Sequence, residues 1–190
     1  MVCYITYMLA KEYSYSLEEI VYTTLTKVHK FTYDDEEALK YFEDKIENNV
    51  GPMDNITNVK GKMTEWQLFN NDPEFKSFIN HIFYPTIIKH RPLRGDLENL
   101  LIVKDSWGNI LEKGDSVERH HHKDGYYSTI MYFDNVAPLQ TDIGEFPTHR
   151  GLVITIEGFL YHWVNPVKKR RKNLVFNWSM QSQKFNEGNR

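Results

Sequence analysis

A chain of 190 residues with 41% hydrophobic and 26% charged residues is long enough to bury one core without staples, which excludes a disordered or fibrous protein. Lys and Arg total 23 against 26 Asp and Glu, a formal charge of −3, so the basic excess of a dedicated nucleic-acid binder is missing. Cys3 is the single cysteine; this removes intrachain disulfides and cysteine-based zinc sites, and fits a reducing, cytoplasmic compartment.

The apolar opening Met1–Ala10 lacks a basic leader and ends at Lys11, so it reads as a first strand rather than a signal peptide. No run of about 20 apolar residues offers a membrane span. Residues 1–96 read mainly as a helical support. Ser16-Leu-Glu-Glu19 has capping-box spacing, and Ile20, Leu25 and Val28 give a loose helical face behind it. A second helix is expected over 35–49, with Ala38, Tyr41, Phe42 and Ile46 on one face and Gly51 at its stop. A third opens at Asp72-Pro73, an acidic cap with proline at the first helical position, and should kink or end at Pro85. Between them, 51–67 suggests loop or short strand.

From Asn99 the texture changes to short β-branched and aromatic runs: 100–103, 109–111, 116–122, 126–133, 152–156, 160–165 and 173–179. Gly114-Asp115, Asp124-Gly125 and Asp134-Asn135 punctuate them. Strands at this spacing predict an antiparallel sandwich or jelly roll over residues 97–180 of a single domain, with 181–190 as a flexible polar tail.

Three of the eight histidines adjoin at 120–122. On a strand, His120 and His122 share a face about 6.6 Å apart and His121 points the other way. Two rival ligand pairs follow, His120-x-His122 and His122-x-Asp124, since Asp124 is too far along the strand to join His120 without a bulge. His162, opening a later strand, supplies a distant third candidate. Arg171 stands within the basic run Lys168–Lys172, just before the strand 173–177, where a planar guanidinium can reach inward to pair with a carboxylate. A His-x-His, a distal His and an Arg nine residues later suggest an open-sided mononuclear site of the kind that suits iron.

Ordered along the chain stand Trp107-Gly-Asn109, Gly114-Asp115, His120-His-His122, Ser128-Thr-Ile-Met-Tyr-Phe133, Gly151-Leu-Val-Ile154, Tyr161-His162, and Arg171 leading to Phe176-Asn177. This set resembles the 2-oxoglutarate- and Fe(II)-dependent oxygenases, in particular a compact branch associated with phage and bacteria and related to the prolyl hydroxylases. The resemblance covers residues 99–180. It implies a double-stranded β-helix, a cupin-like jelly-roll barrel, in which His120 and His162 hold Fe(II). Most of the superfamily has Asp or Glu where this chain has His122, so the third ligand is either His122 or Asp124; His122 is preferred because Gly114-Asp115 sets the spacing to His120 without gaps. Arg171, with Tyr132 beside it, would receive the far carboxylate of 2-oxoglutarate, and Asn173 stands where relatives have Ser. The implied reaction consumes O₂ and 2-oxoglutarate, releases succinate and CO₂, and hydroxylates a peptidyl residue or small molecule; ascorbate is a usual assay additive.

Rival readings share some of these residues. Gly114-x5-His120-x-His122 also fits the opening of a cupin motif, yet Tyr126 and Tyr127 stand where a cupin places its Glu. The His122 departure also suits a non-catalytic virion or scaffold protein whose site has decayed. A nucleic-acid demethylase would need a second Arg at position 177, which is Asn.

Overall fold

Runs rich in β-branched and aromatic residues settle as strands where both faces find cover. The computed structural model describes residues 18–21, 27–51, 57–90, 99–122 and 127–182. Among these, twelve strands form two antiparallel sheets. They are β1 (Glu18–Val21), β2 (Lys27–Thr32), β3 (Val59–Lys60), β4 (Lys62–Met63), β5 (Asn99–Leu111), β6 (Ser116–His120), β7 (Tyr127–Tyr132), β8 (Leu139–Thr141), β9 (Gly144–Phe146), β10 (Leu152–Glu157), β11 (His162–Val164) and β12 (Arg171–Ser182). The larger sheet runs β1-β2-β10-β7-β12-β5-β4 and the smaller β3-β6-β11-β8-β9, the jelly-roll arrangement expected from the strand spacing.

Alternation along β12 shows how the layers are built. Leu174, Phe176 and Trp178 join the core formed with the helices, whereas Val175 belongs to the cluster with Trp107, Ile130, Tyr132, Ile154 and Ile156 between the sheets. Arg171, Asn173 and Asn177 share the face of Val175, so the barrel interior is apolar in the middle and polar at both ends of this strand. Register ties β12 to both neighbours: Asn173 pairs with Asn109 and Tyr132, and Asn177 with Asp105 and Ser128. A bulge after Asn177 leaves Lys104 of β5 without a partner in the ladder.

On the outer face, α1 (Glu36–Asn49) starts where Asp35 accepts from the Ala38 amide at 3.0 Å. Its Phe42 and Ile46 are fully buried, and Ile46 lies so close to β5 that a Cβ on Gly108 would meet its Cγ1 at 2.3 Å. The capped turn expected at Asp72-Pro73 is present as α2 (Pro73–Phe78), with the Phe75 amide donating to Asp72 at 2.8 Å. At Pro85 the structure departs from expectation. A π turn, Ile79–Phe83, intervenes, the Tyr84 amide donates to the Ile79 carbonyl, and α3 (Tyr84–His90) continues through the proline. Widening the ring to i→i−5 removes the demand for the N–H that Pro85 lacks and eases its ring past the preceding turn.

The helix expected from Ser16 is a correction. Within the described residues this segment is β1 and β2, paired Ile20 to Val28 and Glu19 to His29, and β2 in turn pairs with β10. The thin face of Ile20, Leu25 and Val28 gave way to β-branched density and a waiting sheet edge. The first half therefore contributes strands to the larger sheet as well as helices behind it. The expected first strand at 1–10 lies outside the described residues, as does 183–190; Gln181 and Ser182 extend β12 against Leu100 and Asn99. Gly151 opens β10 at a φ of +80°, and a Cβ there would strike the Tyr33 carbonyl oxygen at 2.1 Å, so only glycine passes this crossing. No helix among the described residues is long and apolar enough to cross a membrane.

Candidate metal centre and anion pocket

Pairing of β6 with β11 sets His120 directly opposite His162, which brings their ring centroids to 4.3 Å. His122 follows β6, held by its amide donating to the Gly158 carbonyl at 2.8 Å, and its ring stands 5.1 Å from His120 and 5.2 Å from His162. One candidate ligand atom from each of the three lies within 4.8 Å of the other two, so small side-chain rotations bring them onto a single ion at metal–nitrogen distances of about 2.0–2.1 Å. His121 turns to the opposite face, as strand alternation requires, and packs against the Tyr161 ring at 4.5 Å. Asp124, the rival third ligand, lies outside the described residues.

Two of the rings are oriented by backbone carbonyls two residues before them. His120 Nδ1 lies 2.7 Å from the Glu118 carbonyl and His162 Nδ1 lies 2.9 Å from that of Leu160. A carbonyl only accepts, so Nδ1 carries the hydrogen in each and Nε2 keeps its lone pair. Burial, with the neighbouring imidazoles adding to it, holds the His162 ring down at about 3 and that of His122 at about 4. Burial also lowers His120, against the pull of the Glu118 carbonyl. All three rings are therefore neutral near pH 7, the state in which an imidazole binds a metal without first losing a proton.

At the other end of β12, Arg171 is 1% exposed. Among the described residues none of its three guanidinium nitrogens has a hydrogen-bond partner, and its carbon sits 5.0 Å over the Tyr132 ring. The Tyr132 hydroxyl is buried without a partner too, and burial pushes it up to about 12 against the pull of the Arg171 charge. A buried cation of this kind costs several kcal/mol unless an anion joins it. The remaining basic residues do what a solvated turn does: Arg170 pairs with Glu47 at 2.5 Å, and Lys172 pairs with Glu43 and Glu47. Arg171 alone of the run faces inward.

Sequence reasoning gave no role to several polar atoms buried along the same interior. Asn109 Oδ1, Trp107 Nε1, Ser128 Oγ and Asn177 Oδ1 have no hydrogen-bond partner. For Asn177 the signal is that polar residues hold the inward positions 171, 173 and 177 of β12, a strand whose outward positions include Leu174, Phe176 and Trp178. Three neutral imidazoles on one side and an uncompensated guanidinium deeper in the barrel fit a divalent metal and a small dicarboxylate: the first needs lone pairs, the second a buried fork.

No family model matches the chain, and no curated protein matches it. Solved structures do. The viral collagen prolyl hydroxylase of Paramecium bursaria Chlorella virus-1, a 2-oxoglutarate complex, superposes with a TM-score of 0.61 at 12% identity, covering 80% of this chain and 94% of its own. A Trichoplax adhaerens prolyl hydroxylase in complex with a hypoxia-inducible-factor peptide fragment gives 0.60 at 10% identity over 80% and 83% of the two chains. A Pseudomonas putida prolyl-4-hydroxylase gives 0.53 at 11% identity over 82% and 93%. At such identities the likeness is one of architecture. The chain has the double-stranded β-helix fold of the 2-oxoglutarate- and Fe(II)-dependent oxygenases.

Proposed function

We propose that this protein is a single-domain Fe(II)- and 2-oxoglutarate-dependent dioxygenase, with residues 97–180 as its catalytic core. Its reaction couples O₂ and 2-oxoglutarate to the hydroxylation of a substrate carbon, with succinate and CO₂ released. The observation that carries this reading is Arg171, a buried guanidinium to which no anion is hydrogen-bonded among the described residues, on the same barrel interior as three converging imidazoles. A metal-binding cupin would gain nothing from such a group, and a decayed scaffold would be expected to lose a charge that costs stability.

His120, His122 and His162 would hold the iron through Nε2, two of them kept in the right tautomer by backbone carbonyls. Arg171 would take the far carboxylate of 2-oxoglutarate, with the Tyr132 hydroxyl as a second donor; both arrive desolvated, so the pairing strengthens in the dry interior. Iron and 2-oxoglutarate together supply the oxidising chemistry. The protein's part is to orient these groups, keep bulk water from the barrel and present the substrate carbon at its mouth. The likeness to prolyl hydroxylases makes a peptidyl residue the first substrate class to try, with a small molecule as the other.

The test is succinate release from 2-oxoglutarate with Fe(II) and ascorbate, run against a panel of proline-containing peptides and small metabolites. Metal-dependent succinate formation, stimulated by one class of substrate, is the expected result. Tight Fe(II) binding with no 2-oxoglutarate turnover under any condition would overturn the assignment.

A further inference from the structure

His120 and His162 each rest Nδ1 on a carbonyl two residues back, that of Glu118 within β6 and that of Leu160 in the turn before β11. His122 has no such carbonyl. Its Nδ1 instead meets the Asn177 amide nitrogen at 3.3 Å, across the barrel from the larger sheet. We infer that Asn177 is a positioning residue for the third histidine, its amide turning over to fix His122 in the tautomer that offers Nε2 to a metal. This rests on the reading of the three histidines as metal ligands.

An amide NH₂ only donates, so in the observed arrangement His122 Nδ1 accepts and the ring hydrogen sits on Nε2. That leaves two buried polar atoms unsatisfied on either side of one hydrogen bond, His122 Nε2 and Asn177 Oδ1. Each has given up its water without gaining a partner in this state. Coordination through Nε2 needs a lone pair there, so the hydrogen must leave Nε2 and appear on Nδ1, by exchange with water and with no change in the charge of the ring. With the amide unturned, two N–H groups would then face each other. Rotating the Asn177 amide by 180° exchanges its two ends within the same volume. Oδ1 then accepts from Nδ1–H, Nδ2 faces the barrel interior as a donor, and the metal takes Nε2. Both nitrogens of the His122 ring are then satisfied. Asparagine is suited to this place because it serves either tautomer. Asp serves one of them, and Leu neither.

Zn(II) and Co(II) are the probes. In protein labelled with ¹⁵N-histidine, His122 should show a protonated Nε2 before metal is added and a protonated Nδ1 in the Zn(II) form, while His120 and His162 keep Nδ1–H throughout. Asn177→Leu should weaken Co(II) binding 10- to 100-fold, the usual cost of losing a group that orients a ligand. Asn177→Asp should bind Co(II) at least as tightly as wild type and show Nδ1–H at His122 even without metal. A purely structural role would lower the melting temperature of both variants and leave the Co(II) affinity and the wild-type tautomer exchange alone. Wild-type protein that takes up no Co(II) overturns the metal reading itself, and this role with it. Wild-type uptake equalled by folded Asn177→Leu, or a His122 that carries Nδ1–H before metal is added, overturns the role of Asn177 alone.

Discussion

Arg171 shows how a single side chain can be a liability to the fold and an asset to the site. Removing a buried charge that no hydrogen bond satisfies relieves the protein, so Arg171→Met should leave the melting temperature unchanged or raise it. The same substitution should raise the KM for 2-oxoglutarate at least ~100-fold, the worth of a lost bidentate charged pair. Steady-state succinate assays beside thermal melts check both halves. For the metal, His162→Ala should abolish Fe(II) retention on dialysis, because two imidazoles without the third leave an open, weakly chelating edge. Much of this was legible in the residues: alternation alone separates His120 and His122 from His121, and position alone separates Arg171 from its solvated neighbours. The role of Asn177 was not. Its partner His122 is 55 residues away on the facing sheet, and which loop end meets which strand is decided by how the two layers stack.

Among the elements, the capped turn at Asp72 combines local and tertiary roles. Its carboxylate accepts from the Phe75 amide, from the Tyr41 hydroxyl at 2.6 Å and from Lys45, so one residue starts α2 and ties it to α1. Burial raises its pKa, but the bonds from Lys45, Tyr41 and the Phe75 amide outweigh that and hold it below the ordinary aspartate value. A carboxyl lowered in the folded state stabilises at pH above about 4 and loses that contribution as pH falls through the folded value. Asp72→Asn should therefore be less stable than wild type at pH 7, by about 2 kcal/mol in urea denaturation, and the gap should narrow toward pH 3. Gly108→Ala tests the other contact of α1: the Cβ would press on Ile46, and overpacking of this kind costs about 1–3 kcal/mol. Sequence signals placed α1 and the Asp72 cap because both rest on short-range hydrogen bonds. They misplaced 16–28, where the choice between helix and strand depended on the free edge of β10, more than a hundred residues away.

At the scale of the whole molecule, the larger sheet separates an aromatic helix-facing layer from the barrel interior. Phe83 stacks on Trp178 at 4.8 Å, and Phe75, Phe78 and Phe83 all contact Phe176. This layer supports the sheet from behind and leaves the interior to bind. A ligand that joins the folded state alone should then stabilise all of it: 2-oxoglutarate at 100 times its Kd, with Co(II) present, adds about 2.7 kcal/mol. That corresponds to roughly 5–10 °C in melting temperature, a shift that Arg171→Met should lose. The jelly roll was readable from strand spacing in the second half. The short strands β8 and β9 and the insertion of β2 beside β10 were not, because each is fixed by a distant partner more than by its own composition. β12 carries the deepest consequence. Its odd-numbered positions from Arg171 to Asn177 look into the barrel and its even-numbered ones into the phenylalanines. Deleting or inserting one residue between them would swap the two, driving the guanidinium into the aromatic layer and Phe176 toward the three histidines. This stretch can vary in spelling, never in length.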